Sequence, residues 1–192
     1  MRKILDQPGN MSHWQALVVE AQDLCGIQLD EELESYLVFT LMRYLRRPEM
    51  AHRILALDFL EALQSSQQQR SQVLRDVGDQ CLLVSGLFPR QAERRRVRVS
   101  YYVDLGRSAY QNLAESLSKT AHLFAHLANE FIAAMDTLQA IRVLGQQESG
   151  LLPVEAYELW QDTASRQAYE QLMRQTGGLP AWIPPSKKPT CH

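Results

Sequence analysis

The chain is poor in cysteine and in long apolar runs, and each shortage removes a class of protein. Its three cysteines, Cys25, Cys81 and Cys191, are odd in number and widely spaced, with no Cys-x-x-Cys among them. That pattern excludes a disulfide framework and a zinc ribbon, and a reducing, cytoplasmic compartment is expected. No apolar stretch approaches the ~18 residues of a membrane-spanning helix. Met1–Asn10 carries Arg2 and Lys3 but lacks the apolar core of a secretory signal. The net charge is −2, which argues against general nucleic-acid binding. Also absent are Gly-x-Gly-x-x-Gly, the P-loop, Gly-x-Ser-x-Gly and His-Glu-x-x-His, so the enzyme classes recognised by those motifs are disfavoured.

What is present is helix after helix. With 45% hydrophobic residues in 192 positions the chain is long enough to bury a core. A first helix is predicted from Ser12 to Gly26, with Trp14, Leu17, Val18, Ala21, Leu24 and Cys25 at helical spacing. A second opens at Asp30, with Glu31, Glu32 and Glu34 at the positive end of its dipole. A third, Pro48 to Ser65, is expected to bury Met50, Ile54, Leu57, Leu60 and Leu63. Gln67–Gln69 reads as a joint, and a fourth helix runs from about Ser71 to Leu87. Arg90–Ser100 reads as the main irregular stretch, with an extended alternation at Val97-Arg98-Val99. Further helices follow from Ser100, from about Ser118 to Leu144, and from Pro153 to Gly177-Gly178. The fold class is therefore all-α, a single-domain bundle of six or seven helices over residues 1–178, with a Pro-rich tail over 179–192. Cys25 and Cys81 fall among apolar residues and are expected in the core.

Gly78 and Gly86 stand inside the fourth helix, where each costs roughly 1 kcal/mol relative to Ala. Close approach of another helix, or of a ligand, should offset that. If they open a groove, Asp79, Ser85, Tyr102 and Tyr110 are the residues to line a pocket there, with Asp76, Tyr101 and Asp104 nearby. A second candidate is the arginine cluster Arg90, Arg94, Arg95, Arg96 and Arg98, opposed locally only by Glu93 and Asp104. Guanidinium forks beside a helix start at Ser100 suit a carboxylate or phosphate. The weakest candidate is a metal site. Glu49 and His52 have Glu-x-x-His spacing, and His122, His126 and Glu130 are four apart. A helical wheel, however, sets Phe124, Leu127, Ala128, Phe131, Met135 and Leu138 together and the two histidines opposite them.

Leu74-Arg75-Asp76-Val77-Gly78-Asp79, Ser85-Gly86-Leu87-Phe88-Pro89, Tyr101-Tyr102-Val103-Asp104-Leu105-Gly106 and Ala109-Tyr110 together form a recognisable pattern. It resembles a group of bacterial all-helical proteins with no assigned activity. The resemblance implies a bacterial source and carries over no catalytic residue. The expected function is a non-enzymatic binding or regulatory protein whose arginine-rich surface meets a protein partner or small anionic ligand. No cofactor, no sequence-specific nucleic acid and no membrane is expected. An enzyme or ligand carrier with a pocket between the central helices is the alternative, and a metal-dependent oxidase the last.

Overall fold

A computed structural model describes residues 11–46, 55–94, 96–116, 120–145 and 151–177. These form ten helices and, among the described residues, no strand: α1 (Met11–Cys25), α2 (Glu31–Arg46), α3 (Leu55–Gln64), α4 (Gln67–Gly86), α5 (Pro89–Arg94), α6 (Val99–Ser116), α7 (Ala121–Asn129), α8 (Phe131–Leu144), α9 (Pro153–Thr163) and α10 (Arg166–Thr176). None of these helices is long and apolar enough to cross a membrane. The predicted Pro-rich tail lies outside the described residues, as do Glu49 and His52.

Three helices exceed the expected seven, each for a local reason. The start of the stretch expected to be irregular winds into the short α5. The helix expected across 118–144 is interrupted at Glu130, whose N–H closes α7 on the His126 carbonyl while its own carbonyl opens α8. The break lets α7 lie on α6 while α8 turns to meet α1 and α4. The last helix is cut at Ala164, which takes the left-handed conformation with φ 57°. Ser165 then caps α10 by accepting a hydrogen bond from the Ala168 N–H.

The centre is α4. Leu74 and every residue from Val77 to Gly86 are buried, as expected of a helix surrounded on all sides. It runs along α6 and also touches α3, α5 and α8. Its two glycines, and Gly106 of α6, are the close approaches. A Cβ at Gly78 would sit 2.5 Å from the Tyr110 ring, at Gly86 2.5 Å from the Leu138 Cβ, and at Gly106 2.5 Å from the Phe131 ring. The cost of helical glycine is thus offset by neighbouring side chains packed onto the backbone, not by a ligand space. Cys25 and Cys81 are both fully buried free thiols. Burial raises both above the ordinary thiol value, Cys81 the further.

One expected face is corrected. In α3, Leu57, Leu60 and Leu63 point outward, and the helix buries Leu55 and Ala62 with Phe59 packed on the core. Positions 55, 59 and 62 make an i, i+4, i+7 stripe toward α4, so the leucine stripe read from the sequence is the outer face.

Replacing Gly78 by Ala should destabilise the protein by about 1–3 kcal/mol, the usual cost of overpacking a filled site. Urea denaturation of the variant against the parent measures it. An unchanged midpoint would show that the Tyr110 ring can move aside freely.

Candidate functional site

Two buried carboxylates hold the framework. Asp79, on α4, is 1% exposed. Its Oδ1 accepts from the Tyr36 hydroxyl at 2.5 Å and the Tyr110 hydroxyl at 2.9 Å, and its Oδ2 from Arg43 at 3.2 Å. Arg75 approaches the same oxygen at 3.9 Å and lies over the Tyr36 ring. Arg43 also pairs with Asp76. Burial pushes the Asp79 carboxyl above its ordinary value, against the pull of Tyr36, Arg75, Tyr110 and Arg43. Burial, and then the Asp79 charge, drive both tyrosine hydroxyls well above theirs. Both Asp79 oxygens are occupied by protein, so this carboxylate ties α2, α4 and α6 together. Ser85, another residue considered for this pocket, donates to the Cys81 carbonyl of its own helix at 2.8 Å. Its own carbonyl accepts from Gln139 of α8 at 3.2 Å. Asp79, Ser85 and Tyr110 are therefore core residues, and the Tyr110 ring fills the space expected at Gly78.

The second carboxylate, Asp136 of α8, accepts from the Ser165 hydroxyl at 2.6 Å, the Arg166 N–H at 2.9 Å and the Gln167 N–H at 3.3 Å. It anchors the start of α10, and through the α9–α10 hairpin it sets the position of α9. No sequence signal pointed to it, since an isolated Asp in an apolar helix carries no motif.

That position of α9 borders a hollow among the described residues. The Arg96–Ser100 turn faces α9 across a cavity of ≈ 240 Å³ lined by Glu155, Glu158 and Leu159. On its other side the same turn borders an open groove of ≈ 880 Å³, with Leu55, Ala56, Tyr101, Tyr102, Asp104 and Asp162. Of the predicted arginines, Arg96 and Arg98 line both. Arg90 is exposed on α5, Arg94 ends α5, and Arg95 lies outside the described residues. Arg98 is engaged: its guanidinium meets Glu158 at 3.0 Å and Asp162 at 3.7 Å. Ser100 donates to Asp162 at 2.7 Å. Arg96 is exposed, takes a left-handed φ of 56°, and has no ion-pair partner among the described residues. Tyr101 is 43% exposed, with Tyr102 buried edge-on beneath it. The hollow thus carries Arg96 and Asp104 at its border, while its other charges, Arg98 and Asp162, are paired with each other.

His122 and His126 point from α7 toward the start of α2. Their Nδ1 atoms lie 3.7 Å from Glu32 and 3.1 Å from Asp30. Glu130 is exposed on the link to α8. Among the described residues, no three His, Cys, Asp or Glu side chains come together as a metal site.

Burial lifts the Asp136 carboxyl to about 6, against the pull of its three donors. A carboxyl raised on folding stabilises the fold below its unfolded value, and that contribution is lost as pH climbs through the folded one. Over this window the difference is up to about 3 kcal/mol. The parent protein should therefore lose stability between about pH 4 and 7, and Asp136→Asn should lack that part of the slope. Urea midpoints across the range decide it, and parallel slopes would deny the assignment.

No protein-family model, curated protein or solved structure matches this chain, so what the hollow does has to follow from its own chemistry.

Proposed function

We propose that this chain is a single-domain, cytoplasmic, non-enzymatic binding protein that receives a partner segment in the groove between the Arg96–Ser100 turn and α9. The observation that carries the reading is Arg96. It is exposed and without an ion-pair partner among the described residues, and it borders both halves of the hollow beside Tyr101. A guanidinium fork free for a carboxylate or phosphate, next to an amphipathic ring, is the composition of a partner anchor. Arg98 is not available in the same way, because Glu158 and Asp162 already neutralise it. The acidic-partner reading therefore rests on Arg96, not on the cluster as a whole. Binding is favoured over catalysis because both strongly buried carboxylates, Asp79 and Asp136, are consumed by structural hydrogen bonds.

Peptides selected from a displayed library against the immobilised protein should carry an acidic or phosphorylated residue. Arg96→Glu should weaken those peptides roughly tenfold, about 1.4 kcal/mol, and should select basic residues at the same place. A selection without charge preference, or one that Arg96→Glu leaves unchanged, would overturn the proposal.

A further inference from the structure

The smaller cavity, of ≈ 240 Å³, has a charge pattern of its own. Its ionic side chains are Arg96 and Arg98 from the turn and Glu155 and Glu158 from α9. Arg98 and Glu158 meet at 3.0 Å and neutralise each other. Ser100, also in the wall, donates its hydroxyl proton to Asp162. The charges left over are one of each sign. Arg96 is exposed and has no ion-pair partner among the described residues. Glu155 has none either; its Oε2 accepts from the Leu152 N–H at 2.7 Å, a helix cap that leaves the carboxylate charge in place. The rest of the wall is apolar, from Val97, Val99 and Leu159.

This arrangement disfavours a simple ion. An anion drawn to Arg96 meets the Glu155 carboxylate, and a cation drawn to Glu155 meets the Arg96 guanidinium, each a like-charge contact at short range. A zwitterion satisfies both. Its carboxylate accepts from Arg96 and its ammonium donates to Glu155, and charge-assisted hydrogen bonds of this kind are the strong ones. The apolar wall suits a hydrocarbon body. Volume limits its length. A cavity of about 150 Å³ takes benzene, so this one holds about ten non-hydrogen atoms. That is the size of free leucine or methionine, and it is too small for a dipeptide of such residues.

We propose that this cavity binds a free aliphatic α-amino acid, with its carboxylate on Arg96, its ammonium on Glu155 and its side chain against Val97, Val99 and Leu159. The site goes beyond the partner reading, and the two meet at Arg96. A bound amino acid occupies the guanidinium that an acidic partner residue needs, so the two ligands exclude one another.

An amide NMR titration of the isotope-labelled full-length protein with L-leucine and L-methionine tests this. Signals of residues 96–100 and 155–159 should shift and saturate. L-leucinamide and N-acetyl-L-leucine, each lacking one charge, should bind at least roughly tenfold more weakly, the scale of one charge-assisted hydrogen bond. Arg96→Gln should weaken leucine by a like factor and leave leucinamide unchanged. Glu155→Gln keeps an oxygen for the Leu152 N–H; it should weaken leucine and leave N-acetyl-leucine unchanged. No shift at millimolar leucine or methionine, equal affinity for either blocked compound, or shifts elsewhere would overturn the proposal. Such a result beside a peptide selection that keeps its charge preference would dispose of the amino-acid site alone. Leucine binding beside a selection without charge preference would remove the partner reading and leave this site standing.

Discussion

The structure depends on one carboxylate. Asp79 sits where α2, α4 and α6 meet, and it is satisfied only because two hydroxyls and two guanidinium groups converge on it from three helices. Removing one partner of such a group leaves a buried charge uncompensated, which costs several kcal/mol. Gly78 belongs to the same device. For its hydroxyl to reach Asp79, the Tyr110 ring must cross α4 at the adjacent residue, and any Cβ there would meet the ring. The glycine and the aspartate are two halves of one contact. The Tyr36, Tyr110 and Phe124 rings then stack and edge around it, with centroids about 6 Å apart.

The all-helical class was legible from apolar spacing and helix ends. α1 stops at Cys25 with Gly26 in the left-handed conformation, and Asp30 accepts from the Leu33 N–H at the start of α2, as the residue types at those positions imply. The buried row from Phe124 to Leu138 also follows the wheel, as does the exposed His122, whereas His126 is half-buried against Asp30. What was hidden were breaks and rotations. Glu130 and Ala164 are ordinary helix formers, and only the need to redirect the chain onto different neighbours makes them joints. The leucines of α3 suggested a core face that packing assigns instead to Leu55, Phe59 and Ala62, because hydrophobicity alone does not say which stripe meets a neighbour.

The candidate site was half legible. The unusual density of arginine between Arg90 and Arg98 drew attention to the turn that borders the hollow. Its pairing with Glu158 and Asp162, some sixty positions away, could not be read from local sequence. The costly glycines, by contrast, pointed to the interior, where an aromatic ring had taken the place a ligand was expected to fill. Arg96, like Ala164, is held in the left-handed region at a cost of about 1–2 kcal/mol, which nothing in the local sequence announces.

The pairing of the first described helix with the eighth has a consequence for how the protein is made. Trp14, Val18, Ala21 and Cys25 are buried, α1 lies along α8, and the Arg166 guanidinium reaches back to the Gly26 carbonyl at 3.3 Å. During vectorial synthesis α1 leaves the ribosome long before α8 exists, so only α2 is there to cover part of its apolar stripe while the intervening helices emerge. Local pairs such as α4 with α6 and α6 with α7 can form in passing. The face of α1 that meets α8 must wait until Phe131–Leu144 has emerged, and until then the nascent protein is exposed to aggregation or chaperone capture at that face.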